Sequence, residues 1–176
     1  EFVDEVKGGT IPGQFLTAVE KGIRQVLSGG AIAGYPMQDI RVVVYDGKHH
    51  PVDSKEVAFI AAGKKAFLDA VGKARPQVLE PIADLEVSAP EQHMGDISGG
   101  LSSKRARISG TDSERGGEIV VKAQVPLSEL DGYAAELKSV TAGRGRYALD
   151  FSHYEPVPAQ VQQKLVDSWK PHHEED

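Results

Sequence analysis

The sequence predicts an α+β protein of two small domains, the second of them a ferredoxin-like βαββαβ unit. Three observations carry that reading. The chain has 176 residues, enough for one large domain or two small ones at roughly 100–150 residues each. A β-α-β-α pattern runs as far as Pro76, breaks over residues 77–81, and gives way to a new pattern. From Pro81 to Tyr154 the order is β-α-β-β-α-β with short connections, the ferredoxin-like arrangement.

In the first domain, Phe2, Val3 and Val6 mark a short strand. Pro12 stands where a helix starts, since proline is tolerated at the first helical position. Ile11, Phe15, Val19, Ile23 and Val26/Leu27 follow at helical spacing, and Ser28-Gly29-Gly30 supplies a stop that can turn left-handed. Pro36 opens a strand in which Ile40, Val42 and Val44 alternate with Arg41, Val43 and Tyr45. The loop Asp46-Gly47-Lys48-His49-His50-Pro51 is polar and rich in turn formers. A second helix is expected from near Asp53, which with Glu56 has the spacing of a capping box. Phe59, Ala62, Ala66, Phe67, Ala70 and Val71 form its apolar stripe, and Pro76 ends it. Two strands make a thin sheet, so further strands of this domain are expected upstream of Glu1.

In the second domain Ile82, Leu85 and Val87 read as a strand, and Pro90 opens a helix carrying Met94, Ile97 and Leu101. Arg107-Ile108-Ser109 reads as a short strand and residues 111–117 as a polar turn. Ile119, Val121, Ala123 and Val125 alternate as a strand. Leu130, Tyr133, Ala134, Leu137 and Val140 form a helical stripe closed by Gly143, and Tyr147, Leu149 and Phe151 alternate in the last strand. Val161, Leu165 and Trp169 share a helical face in the tail, expected to dock on the body. The expected segments are 1–76, 77–157 and 158–176.

Composition removes several function classes. Hydrophobic residues are 40% and charged residues 26% of the chain, ordinary for a globular protein. With no cysteine there is no disulfide, thiolate zinc site or cysteine nucleophile, which suits a reducing compartment. No apolar run reaches the ~20 residues that span a membrane. Glu1-Phe2-Val3-Asp4 lacks the charged and apolar regions of a signal peptide. The first residue is not Met, which suits an excised fragment. The net charge of −6 opposes non-specific nucleic-acid binding, although a local basic loop can still bind RNA. Neither a phosphate-loop nor a dinucleotide-loop motif occurs. The glycine cluster Gly95-Asp96-Ile97-Ser98-Gly99-Gly100 lies within a helical pattern. The pairs His49-His50 and His172-His173 do not offer converging metal ligands, so no metal is expected.

The ordered motifs add a resemblance. Gly8-Gly9-Thr10-Ile11-Pro12 and Ala18-Val19-Glu20-Lys21-Gly22-Ile23 resemble the first helix of the fourth domain of bacterial elongation factor G. Ala33-Gly34-Tyr35-Pro36, Tyr45-Asp46-Gly47, His50, Val52-Asp53-Ser54, Glu56 and Ala58-Phe59 continue it. Leu79-Glu80-Pro81-Ile82 resembles the junction into the fifth domain. There Pro90-Glu91, Met94-Gly95-Asp96, Val125-Pro126-Leu127-Ser128-Glu129 and Gly132-Tyr133-Ala134 match, with Ser139, Thr141, Gly143-Arg144-Gly145 and Phe151-Ser152-His153-Tyr154. The likeness runs nearly to Pro158. Gly100 before Leu101, Ala106 after Lys104-Arg105, and Asp131 before Gly132 depart from the family pattern and fit a diverged paralogue as readily as the housekeeping factor.

The resemblance implies a truncated ribosomal-protein-S5-like α/β domain followed by the ferredoxin-like one. It implies a cytoplasmic monomer that does no chemistry in this part, with GTP and Mg in an N-terminal GTPase domain outside the chain. The implied partner is the ribosome: ribosomal RNA, the tRNA–mRNA of the decoding site, and the GTPase-associated centre, with no membrane. The fourth-domain tip loop would carry Lys48, His49 and His50, which can donate to phosphate and sugar or stack on an exposed base, and Pro51 would stiffen it. A plain solvated loop is the alternative. Asp53 reads as a helix cap as readily as an RNA contact, since a carboxylate repels phosphate. Lys104, Arg105 and Arg107 form the densest basic cluster, either a phosphate clamp or a charged strand edge that discourages edge pairing. A stand-alone protein-interaction module and a ribosome-protection GTPase are the rival classes.

Overall fold

In the computed structural model, which describes residues 1–50, 52 and 54–170, the chain forms two units. The first comprises Glu1–Val78 with the segment from Pro158 onward, the second Leu79–Val157. In the first unit β1 (Phe2–Asp4) is followed by α1 (Gly13–Gly29), β2 (Val42–Val44) and α2 (Glu56–Lys73). β1 and β2 are parallel, with Phe2 opposite Val42 and Asp4 opposite Val44. The α1 stripe is buried as its spacing requires, but in α2 the buried face is Phe59, Gly63, Phe67 and Val71, while Ala62, Ala66 and Ala70 of the expected stripe are exposed because they lie one position off that i, i+4 row. Ala18, Val19, Ile23 and Val26 of α1 pack with Phe59, Phe67 and Val71 of α2, and the rings of Phe15 and Phe59 stack 4.3 Å apart. Each such Val, Ile or Phe contributes about 1.5–3 kcal/mol on burial.

The backbones of the two helices come close because glycines lie at the crossing. A Cβ on Gly63 would sit 2.6 Å from the Val19 carbonyl oxygen, and one on Gly22 would sit 3.0 Å from the Ile60 carbonyl carbon. Gly30, at φ 81°, ends α1 as the sequence suggests, its N–H donating to Val26 O at 2.8 Å. α2 starts at Glu56, after extended Lys55, whose side chain makes no cap hydrogen bond. Its first-turn carboxylate, Glu56, complements the helix dipole instead. Asp53, expected as the cap, and Pro51 lie outside the described residues, as do His172 and His173.

The second unit contains β3 (Leu79–Pro90), α3 (Met94–Ser103), β4 (Arg107–Glu114), β5 (Glu118–Pro126), α4 (Tyr133–Val140) and β6 (Arg146–Pro156). Its sheet is antiparallel in the order β4-β5-β3-β6, the βαββαβ arrangement the sequence indicates. Leu85, Val87, Ile119, Val121 and Val125 from the sheet bury against Ile97 and Leu101 of α3 and Tyr133 and Leu137 of α4. The glycine cluster 95–100 lies inside α3.

Several boundaries differ from the sequence reading: β2 covers only Val42–Val44 of the strand expected from Pro36, and α3 starts at Met94 rather than at Pro90. β3 begins at Leu79, which pairs with Pro156, so three positions of the expected 77–81 hinge are strand. β4 runs on to Glu114, through part of the expected polar turn. All eight of its residues are exposed, so an edge strand buried on neither face shows no apolar alternation.

The last helix, α5 (Ala159–Ser168), belongs with the first unit. The Gln162 side-chain oxygen accepts the Val78 N–H at 3.0 Å and its amide donates to Pro76 O at 3.1 Å. Trp169 lies against Gly34, where a Cβ would fall 2.7 Å from the indole nitrogen.

Candidate nucleic-acid interface

The loop after β2 is held by several hydrogen bonds. The Asp46 carboxylate accepts the Gly47 N–H at 2.8 Å. His49 Nδ1 lies 3.0 Å from the Thr10 carbonyl oxygen. The Ser54 hydroxyl accepts the His50 N–H at 3.0 Å and donates to the His50 carbonyl at 2.7 Å. The Val52 N–H also donates to His50 Nδ1 at 3.4 Å, so these bonds engage backbone groups and one ring nitrogen of each histidine, while the side chains of Lys48, His49 and His50 stay exposed. The charge balance favours this end of the chain for an anionic partner. Residues 1–78 hold ten Lys and Arg against nine Asp and Glu, and residues 79–157 hold eight against thirteen.

The second basic cluster is engaged within its own unit. Lys104 Nζ pairs with Glu136 at 2.8 Å and sits over the Tyr133 ring. Arg105 sets two guanidinium nitrogens on the Glu80 carboxylate at 2.7 and 2.8 Å, and a third on Glu129 at 2.8 Å. The bonds to Glu80 foremost, with those to Glu129, hold its pKa above the ordinary arginine range against the opposing pull of burial. Arg105 also takes φ 57° in the turn that closes α3, where the Ala106 N–H donates back to Leu101 O at 3.1 Å. That left-handed position normally favours glycine, so the carboxylates hold a strained residue in place. Arg107 is more open. It donates to Glu155 at 2.5 Å, and Glu155 also meets His153 at 2.7 Å. His153 first, then Arg107, holds the Glu155 carboxyl below its ordinary range.

Sequence reasoning placed Lys48, His49 and His50 together on one exposed loop, where the structure has them. It placed Lys104, Arg105 and Arg107 together as well, but it missed Glu80, Glu129, Glu136 and Glu155, which partner them. It also missed Thr10, whose loop the His49 ring reaches. Among the described residues no helix is long and apolar enough to cross a membrane.

The family model described as "Elongation factor G, domain IV" matches residues 1–75, and the one described as "Elongation factor G C-terminus" matches residues 77–165. This chain belongs to the elongation factor G family. It is 47% identical over 166 residues to elongation factor G of Aquifex pyrophilus, covering 94% of this chain and 24% of that protein. A crystal structure of a Thermus thermophilus protein aligns with a TM-score of 0.71 at 39% identity, over 95% of this chain and 26% of that one. The chain thus spans about a quarter of the length of these relatives. The elongation factor G domain boundary in sequence and the boundary in space do not coincide. Residues 158–165 match the C-terminal family model yet pack with the first unit.

Proposed function

We propose that this chain is the ribosome-facing C-terminal part of a translational GTPase that promotes tRNA–mRNA translocation, and that it touches RNA through the loop carrying Lys48 and His50. The observation that carries the reading is that loop. It is an exposed cationic and imidazole-bearing turn, pinned by Ser54 and Thr10, on the unit that matches domain IV of elongation factor G. Pinning lowers the ordering a loop must undergo on binding, and lysine and imidazole are donors suited to phosphate and sugar. In this reading GTP is bound and hydrolysed outside the present residues, and this part supplies contact and geometry.

Lys104 and Arg105 act within the fold. Arg107, exposed at the outer strand, is the member of the second cluster placed to meet a ribosomal phosphate, in exchange for its pair with Glu155. The test is His50→Ala in the full-length protein, followed by stopped-flow translocation. Folding should change by less than about 0.5 kcal/mol, as for most exposed substitutions. Translocation should slow while the first round of GTP hydrolysis stays near its starting rate. An unchanged translocation rate with normal ribosome binding would reduce His50 to a solvated loop residue.

A further inference from the structure

Two loops 39 residues apart in sequence are joined in the first unit. One, residues 7–10, leaves β1, and the other, residues 46–50, leaves β2. Because β1 and β2 run parallel, both loops emerge at the same end of the strand pair. The His49–Thr10 hydrogen bond ties them, and Gly47 makes room for the Ile11 side chain, which any Cβ at that position would overlap.

The bond fixes the role of one ring nitrogen of His49. A carbonyl oxygen only accepts, so His49 Nδ1 carries the proton, and a neutral ring then presents Nε2 as an acceptor. Phosphate oxygens are acceptors too, so a neutral His49 in this geometry does not hold an RNA backbone. The loop it holds is better equipped. Lys7, Gly8 and Gly9 are all exposed. Both glycines have positive φ, 71° and 67°, and a Cβ on either would meet nothing within 4 Å. Their peptide groups are therefore open to close approach, beside the Lys7 ammonium.

We infer that residues 7–10 form a second contact with the RNA backbone, with Lys7 as its phosphate-binding side chain, and that His49 is the positioning residue that holds this loop beside Lys48. The inference rests on the ribosome-facing reading of the loop 46–50 and adds a second loop to it.

The test measures the affinity of the 176-residue chain for ribosomes over a range of salt concentrations. Lys7→Ala should weaken binding and lower the slope of log K against log salt by about 1, the signature of one lost phosphate contact. His49→Ala should weaken binding through the displaced loop. His49→Asn, whose amide nitrogen lies where Nδ1 lay, should rescue it. His49→Gln, whose amide reaches the Nε2 position, should not. Rescue by Gln instead of Asn would show the ring touching RNA directly and would overturn the positioning role. An unchanged affinity and slope for Lys7→Ala, with Lys48→Ala weakened, would overturn the second contact alone. Unchanged binding for Lys48→Ala and His50→Ala would overturn the ribosome-facing reading and this inference with it. Thermal unfolding of each variant, followed through Trp169, checks that the first unit stays folded.

Discussion

Replacing Gly63 by alanine should destabilise the first unit, although alanine is the better helix former. The added Cβ would lie 2.6 Å from the Val19 carbonyl oxygen and 3.0 Å from Val19 Cα. Comfortable contact between heavy atoms begins at about 3.5 Å, so the helices would have to part by roughly 0.5–1 Å. Both obstructing atoms are backbone, so no rotamer change relieves the overlap. Parting the helices loosens Val19, Ile23, Phe59 and Phe67 together, and overpacking of this kind costs about 1–3 kcal/mol. Removing a helix-interior glycine returns about 1 kcal/mol. The net expectation is a loss of up to about 2 kcal/mol. Gly72, on the same helix, has nothing within 4 Å of its would-be Cβ and isolates the backbone effect. Gly72→Ala should stabilise by up to about 1 kcal/mol. The assay is urea unfolding followed by indole fluorescence. The chain has one tryptophan, Trp169, and it reports on the first unit because it lies against Gly34. The midpoint should fall for Gly63→Ala and rise for Gly72→Ala. Movement of both midpoints in the same direction would refute the account of the crossing.

Two further outcomes are expected in the second unit. Arg105→Met keeps side-chain length but strands Glu80, which is only 8% exposed. A broken buried pair costs about 3–5 kcal/mol, and partial exposure of the arginine brings this to about 2–3 kcal/mol. Adding Glu80→Leu should recover part of the loss, both effects being read from thermal unfolding by circular dichroism. Tyr133 is buried, its hydroxyl has no partner among the described residues, and burial foremost pushes its pKa up to about 12. Below the unfolded value of 10.0 the folded and unfolded states hold the proton equally. Between there and about 12 only the unfolded state releases it, so stability falls over that window by up to about 3 kcal/mol. Tyr133→Phe should abolish this alkaline loss and be neutral or stabilising by up to ~1 kcal/mol at neutral pH, as denaturant titrations at about pH 8 and about pH 11 would show.

Most of the architecture was legible because it rests on periodicity. Ile119, Val121, Ala123 and Val125 alternate because one face of β5 is buried, and Val19, Ile23 and Val26 recur because one face of α1 is. Where burial is absent the signal vanishes, as in β4, whose Thr111–Glu114 portion looks like a turn by composition. Pro81 suggested a break, but the strand accommodates it between Tyr154 and its neighbours. The loop carrying Lys48, His49 and His50 was legible as a polar turn. The engagement of Arg105 was not, because Glu80 and Glu129 lie 25 and 24 residues away in sequence. The place of α5 was hidden for the same reason. Its apolar face is visible at Val161 and Leu165, but the hydrogen bond from Val78 to Gln162 crosses 84 residues.

The return of α5 to the first unit makes the stability of that unit depend on the other through connectivity. All of Leu79–Val157 intervenes between the two pieces of the first unit. As an unfolded tether of that length it would oppose docking of α5 by about 4 kcal/mol of closure entropy. Once the second unit folds, the pairing of Leu79 with Pro156 holds its two ends side by side, and nearly all of that opposition disappears. The order of synthesis points the same way. α5 is translated after the whole of the second unit, so the first unit is the last to receive all of its elements. A lesion confined to the second sheet therefore lowers the stability of the first unit by lengthening the tether that α5 must close.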